Sequence, residues 1–74
     1  MAVTAQKIDD WFGRSLIAGV AEPHQDGAEK VRITLHQAAH TVRRFVPEGA
    51  EQSRAITRLR DTLDTAVRGM KCRS

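Results

Sequence analysis

The stretch FVPEGAEQSRAI, Phe45 to Ile56, stands between two runs of helical apolar spacing. Pro47 pushes the residue before it out of the helical region, so a helix arriving from the N-terminal side must end near Val46. Its ring holds φ at about −65° and it has no N–H, which suits either a turn or the first position of a new helix. Glu48 and Glu51 then stand near a helix start, where negative charge opposes the positive end of the helix dipole. Ser53 fits the same place as a capping or first-turn residue. The stretch therefore joins two helices through a very short connection.

Apolar spacing on both sides supports this. Upstream, Ala28, Val31, Leu35, Ala38, Val42 and Phe45 follow one another at intervals of 3, 4, 3, 4 and 3. That is a heptad seam, widened by Ala39 and Val46. Downstream, Ile56, Leu59, Leu63, Ala66 and Met70 repeat at 3, 4, 3 and 4. Arg68, Lys71 and Arg73 gather at the end of that helix, beside its negative pole. Two seams joined by so short a link pack antiparallel. A shorter helix over residues 4–12 precedes them, with Thr4 as N-cap, Gly13 as its stop, and Ile8, Trp11 and Phe12 on one side. Gly19 to Gly27 reads as loop. The prediction is an all-α chain, one domain over residues 1–74. It is a hairpin of long helices at about 27–46 and 48–71, with the short N-terminal helix beside it.

A chain of 74 residues has little core to itself. Its one cysteine, Cys72, allows no internal disulfide, and a lone terminal thiol reads as inert. Ile33, Ala39, Val46, Ala55 and Val67 lie off the strict seams and stay wet unless something covers them. Trp11 and Phe12 can cover some, and further copies of the chain can cover the rest. Self-association, to a dimer at least, is therefore expected. The longest apolar-leaning run, Ser15 to Ala21, falls well short of the roughly 18–20 residues of a membrane span. No secretory pattern is visible, so a cytoplasmic protein is expected.

Residues for chemistry are sparse. His36 and His40 stand at i, i+4 and could face a metal together, but no HExxH pattern or third ligand accompanies them by spacing. They read as polar flank residues, and no metal is expected. Ser53 with Asp61 or Asp64 and a histidine lacks the strained turn and glycine-rich oxyanion loop of a hydrolase. No catalytic residue and no cofactor are expected.

The charge is mildly positive, with 12 Lys and Arg against 9 Asp and Glu. Arg54, Arg58, Asp61 and Arg68 read as a solvated face, and Arg60 with Asp64 as an i, i+4 pair. Lys30 and Arg32 lie near the start of the first long helix, a place where phosphate binds well. Trp11 and Phe12 admit two readings. They form a hydrophobic lid on the hairpin, or an aromatic surface on which a nucleobase stacks.

The run from Ala28 to Ala66 resembles the small hairpin domain of phage anti-CBASS type two proteins, which are cyclic-oligonucleotide sponges. The resemblance rests on Val31-Arg32, fifteen residues ahead of Pro47, then Glu51, Ser53 and Ala55-Ile56-Thr57-Arg58-Leu59. The acidic, aromatic lead-in Ile8-Asp9-Asp10-Trp11-Phe12 is similar as well. The chain departs from the pattern over Asp64 to Met70, where only Ala66 matches, and at Glu22-Pro23-His24. The resemblance implies a compact homo-oligomer, often a hexamer. It also implies that cyclic di- or trinucleotides are held between subunits and not cleaved, in the cytoplasm of a bacterial host, with no membrane and no specific DNA as partner. Arg32 and Phe12 match family positions. Lys30 for phosphate and Trp11 for a base come from their chemistry alone. The alternative is a non-enzymatic helical oligomerisation module that binds protein or nucleic acid.

Overall fold

The computed structural model describes residues 3–72 of the chain, Cys72 without its side chain. Arg73 and the Cys72 thiol, both invoked above, lie outside the described residues. The chain forms α1 (Ala5–Trp11), a short 3-10 turn (Arg14–Ile17), α2 (Gln25–Phe45) and α3 (Ala50–Cys72). The described residues contain no strand. α2 and α3 pack as the predicted hairpin, and the N-terminal segment lies against it. The result is a rod of 41 × 16 × 15 Å.

Local chemistry explains the helix limits. Thr4 is the N-cap of α1, its hydroxyl accepting from the Lys7 amide at 3.1 Å. Phe12 is the C-cap, its amide donating to the Ile8 carbonyl at 3.0 Å. α2 begins at Gln25, two residues before the expected start, and Asp26 in its first turn favours that end. It stops at Phe45, with Val46 extended as Pro47 requires. α3 begins at Ala50, so Pro47 and Glu48 belong to the turn and only Glu51 lies in the first helical turn. Gly49, at φ 157°, supplies a backbone conformation that other residues adopt with strain.

Gln52 fixes the joint itself. It is 3% exposed, and its side-chain amide donates to the carbonyls of Arg43 at 3.0 Å and Val46 at 3.1 Å. Helix C-termini leave their last carbonyls without partners. Here α3 supplies the donor for α2, so the two helices are tied by a side chain as well as by packing.

The core is rotated from the two seams. Its buried members are Val3, Ile8, Phe12, Ile17, Val20, Ala28, Ala39, Ile56, Leu63 and Val67. Val31, Leu35, Val42, Leu59 and Met70 pack around them, half-buried. Ala39 and Val67, both off the strict seam, are buried, whereas the seam residue Phe45 is 73% exposed. The reason is the third layer. Half of the buried apolar residues come from the first twenty positions, so each long helix turns its flank toward that segment. Ile17 and Val20 stand out in neither seam, yet they fill this layer from the 3-10 turn and the residues after it.

Candidate functional site

The four residues singled out for ligand binding fall in three separate settings. Phe12 is fully buried in the core. Arg32 is 8% exposed, although a guanidinium is seldom so enclosed without partners. Its Nη1 donates to the Phe12 carbonyl at 2.9 Å, and its Nε to Glu29 Oε1 at 2.6 Å. Arg14 reaches the other oxygen of Glu29 at 3.2 Å. Arg32 thus caps the end of α1 with one charge-assisted bond and spends a second on Glu29 of its own helix, both inside the fold. The Arg32 hydrogen bond, ahead of the charges of Arg32 and Arg14, holds the Glu29 carboxyl below its usual pKa despite desolvation.

Lys30 is exposed and pairs with Asp26 at 3.4 Å. It borders a shallow patch with Val31, Thr34, Leu35 and Thr62. Trp11 is half-buried at the edge of the core. Two cations reach its ring, Lys7 Nζ at 5.8 Å and Arg60 Cζ at 5.1 Å from the centroid. Arg60 comes from α3, and Asp64, its expected i, i+4 partner, is bonded to Arg68 instead. An indole face takes a guanidinium well, and this pairing competes with a surface ion pair worth only a few tenths of a kcal/mol.

Spacing alone missed a further cluster. His36 and His40 lie on one face of α2, and α1 brings Asp9 between them. Asp9 Oδ1 stands 2.8 Å from His36 Nε2 and 2.9 Å from His40 Nε2. Hydrogen bonds, first to His36 and then to His40, hold the Asp9 carboxyl below its usual pKa. The His36 ring lies nearly parallel to that of buried Phe12, with centroids 6.0 Å apart and planes 10° apart. The i, i+4 histidines were visible in the sequence. Their acidic partner, 27 and 31 positions away, became visible only once α1 was placed on α2.

The described residues offer no membrane-crossing helix, since none is long and apolar enough. Large apolar side chains do remain at the surface, namely Leu16, Ile33 and, most of all, Phe45. Comparison with protein-family models, with curated proteins and with solved structures finds no match for the chain.

Proposed function

We propose that this chain is a non-catalytic binding protein that assembles with its own copies and sequesters cyclic di- or trinucleotides of a bacterial immune signal. The observation that carries the reading is the Trp11 cluster. An indole at the surface with a lysine and an arginine against it offers, in one place, a plane for a base and countercharge for its phosphates. The ordered residues Arg32, Pro47, Glu51, Ser53 and Ala55 to Leu59, which resemble the sponge family, support it. So does a hairpin whose turn falls at Pro47.

In this reading Trp11, Lys7 and Arg60 touch the ligand. Phe12 and Arg32 act one step back, by fixing the end of α1 from which Trp11 projects. Lys30 serves a phosphate that extends along α2. Leu16, Ile33 and Phe45 are covered by other copies, which brings several such clusters together. Binding requires no bond to break, so the ligand leaves intact.

A second reading has its own observation. Phe45 is exposed beside Arg44, whose guanidinium lies 5.4 Å from the ring centroid, at the closed end of the hairpin. Such a basic, aromatic tip also suits an oligomerisation module that docks on protein or nucleic acid.

One set of measurements separates the two. Trp11 is the only tryptophan, so its fluorescence reports on the cluster directly. Cyclic di- and trinucleotides should quench it stoichiometrically and raise the melting temperature, and heating should release them unchanged. Linear DNA should do neither. No response to any cyclic nucleotide, with salt-sensitive DNA binding in its place, would favour the second reading. Light scattering that gives a folded monomer at micromolar concentration would remove the assembly from both.

A further inference from the structure

Asp9, His36 and His40 form a cluster of metal-ligating side chains apart from the Trp11 ring. Two imidazole nitrogens and a carboxylate oxygen lie within 4.8 Å of one another. They come from two elements, α1 and α2, which the Arg32 bond to Phe12 and the burial of Ile8 and Phe12 already hold in register. The His36 ring is set against the Phe12 ring, and its side chain is 26% exposed. His40 and Asp9 are more open, at 39% and 59%. The cluster is thus backed by the core and faces solvent on its other side.

We propose that Asp9, His36 and His40 bind a divalent transition-metal ion of the Zn2+ type through His36 Nε2, His40 Nε2 and the Asp9 carboxylate. Imidazole with one carboxylate suits borderline ions such as Zn2+, Co2+ and Ni2+, whereas Mg2+ and Ca2+ require mostly oxygen. Bond lengths of about 2.0–2.1 Å set neighbouring ligand atoms about 3.0 Å apart in an octahedral site and about 3.3 Å apart in a tetrahedral one. The observed 2.8 and 2.9 Å separations to Asp9 Oδ1 need to widen by only a few tenths of an ångström. His40 and Asp9, the more open of the three, supply that adjustment by side-chain rotation, and the same rotation brings the two imidazole nitrogens, within 4.8 Å of each other, to ligand spacing.

The metal-free arrangement is self-consistent. Each histidine can donate Nε2–H to Asp9 Oδ1, and the carboxylate accepts both. Metal entry moves the imidazole protons to Nδ1 and leaves Nε2 free to ligate. Three ligands leave positions on the solvent side for water or another oxygen donor. Because α1 has only seven residues and meets α2 along one face, the ion also acts as a staple between them. Metal binding to the native state alone raises stability by mass action.

The test uses tag-free, metal-stripped full chain titrated with ZnCl2 by calorimetry, with Co2+ absorption as a second probe. One ion per chain should bind with micromolar or tighter affinity. At a hundredfold excess over Kd the melting temperature should rise by about 10 °C or more. His36→Gln, His40→Gln and Asp9→Asn should each weaken binding by about tenfold or more, whereas His24→Gln, which alters the remaining histidine, should leave it unchanged. Nitrogen-15 imidazole spectra of the wild type need no substitution. Zn2+ should move the Nε2 signals of His36 and His40 and spare His24. No binding at these concentrations would overturn the site, as would affinity that survives the His36→Gln, His40→Gln double variant or resonance changes centred on His24. Cyclic-nucleotide binding is read by tryptophan fluorescence in a chelator, so the two proposals fail independently.

Discussion

The guanidinium of Arg32 donates to the main-chain carbonyl of Phe12 at 2.9 Å, across twenty residues of sequence. The carbonyl belongs to the C-cap of α1 and the arginine to the second turn of α2. One bond therefore satisfies an open helix end, neutralises a buried cation's need for partners together with Glu29, and fixes how the short helix meets the long one.

Replacing Arg32 with methionine keeps much of the stem's packing and removes the bonds. The loss should be about 1.5–3 kcal/mol, the range for hydrogen bonds to charged groups. Urea unfolding measures it. A change below about 0.5 kcal/mol, ordinary for surface positions, would show that the bond contributes little.

The Glu29 carboxyl, acidified chiefly by its bond from Arg32, makes stability depend on pH. Its folded-state pKa lies below its usual value near 4.5. The contribution is therefore fully present above that usual value and is lost as pH falls through the lower, folded-state pKa. Wild type should melt above Glu29→Gln at neutral pH, and the gap should close in acid. A gap that grows in acid would reverse the assignment.

Phe12 and Trp11 are neighbours in sequence with opposite expected phenotypes. Phe12→Ala empties a fully buried site and should cost about 3–5 kcal/mol. A chain of this length has only about 4–11 kcal/mol in total, from roughly 0.05–0.15 kcal/mol per residue. The variant should therefore lose a large share of its stability, with a melting temperature far below that of wild type by circular dichroism. Trp11→Ala should remain helical, lose less stability, and abolish cyclic-nucleotide binding as read by calorimetry, since the variant keeps no tryptophan. Intact binding in folded Trp11→Ala would remove the indole from the proposed ligand site.

Gln52→Ala leaves the Arg43 and Val46 carbonyls without their side-chain donor at the hairpin joint. The expected loss is about 1–3 kcal/mol, with amide exchange accelerated first at the end of α2 and the start of α3. Uniform acceleration across the chain would show that the joint has no local stability of its own.

The hairpin was legible because its signals are local. Pro47 stops a helix wherever it stands, and the apolar intervals on either side report helical period without knowledge of partners. Thr4 marked the start of α1 for the same reason. What could not be read was which flank of each seam faces inward, because the answer depends on a third layer. Phe45 satisfies the heptad interval but is left at the surface, while Val67 misses it and is buried. The candidate sites divide in the same way. His36 and His40 were visible as a pair on one helix face, but Asp9 joined them only through the docking of α1. Trp11 is legible as an aromatic among basic residues, whereas Arg60, at i, i+4 from Asp64, meets the indole only because α3 packs beside α1.

Three helices and the joint at Pro47 follow from the order of residues alone, since propensity, capping and apolar period act within a few residues. That Arg32 is a helix cap and Phe12 is core emerges from the packing of α1 on the hairpin. The same packing places Asp9 with two histidines. Those outcomes depend on side chains twenty or more positions apart, whose meeting is set by how the N-terminal segment buries Ile8, Phe12, Ile17 and Val20 against the hairpin.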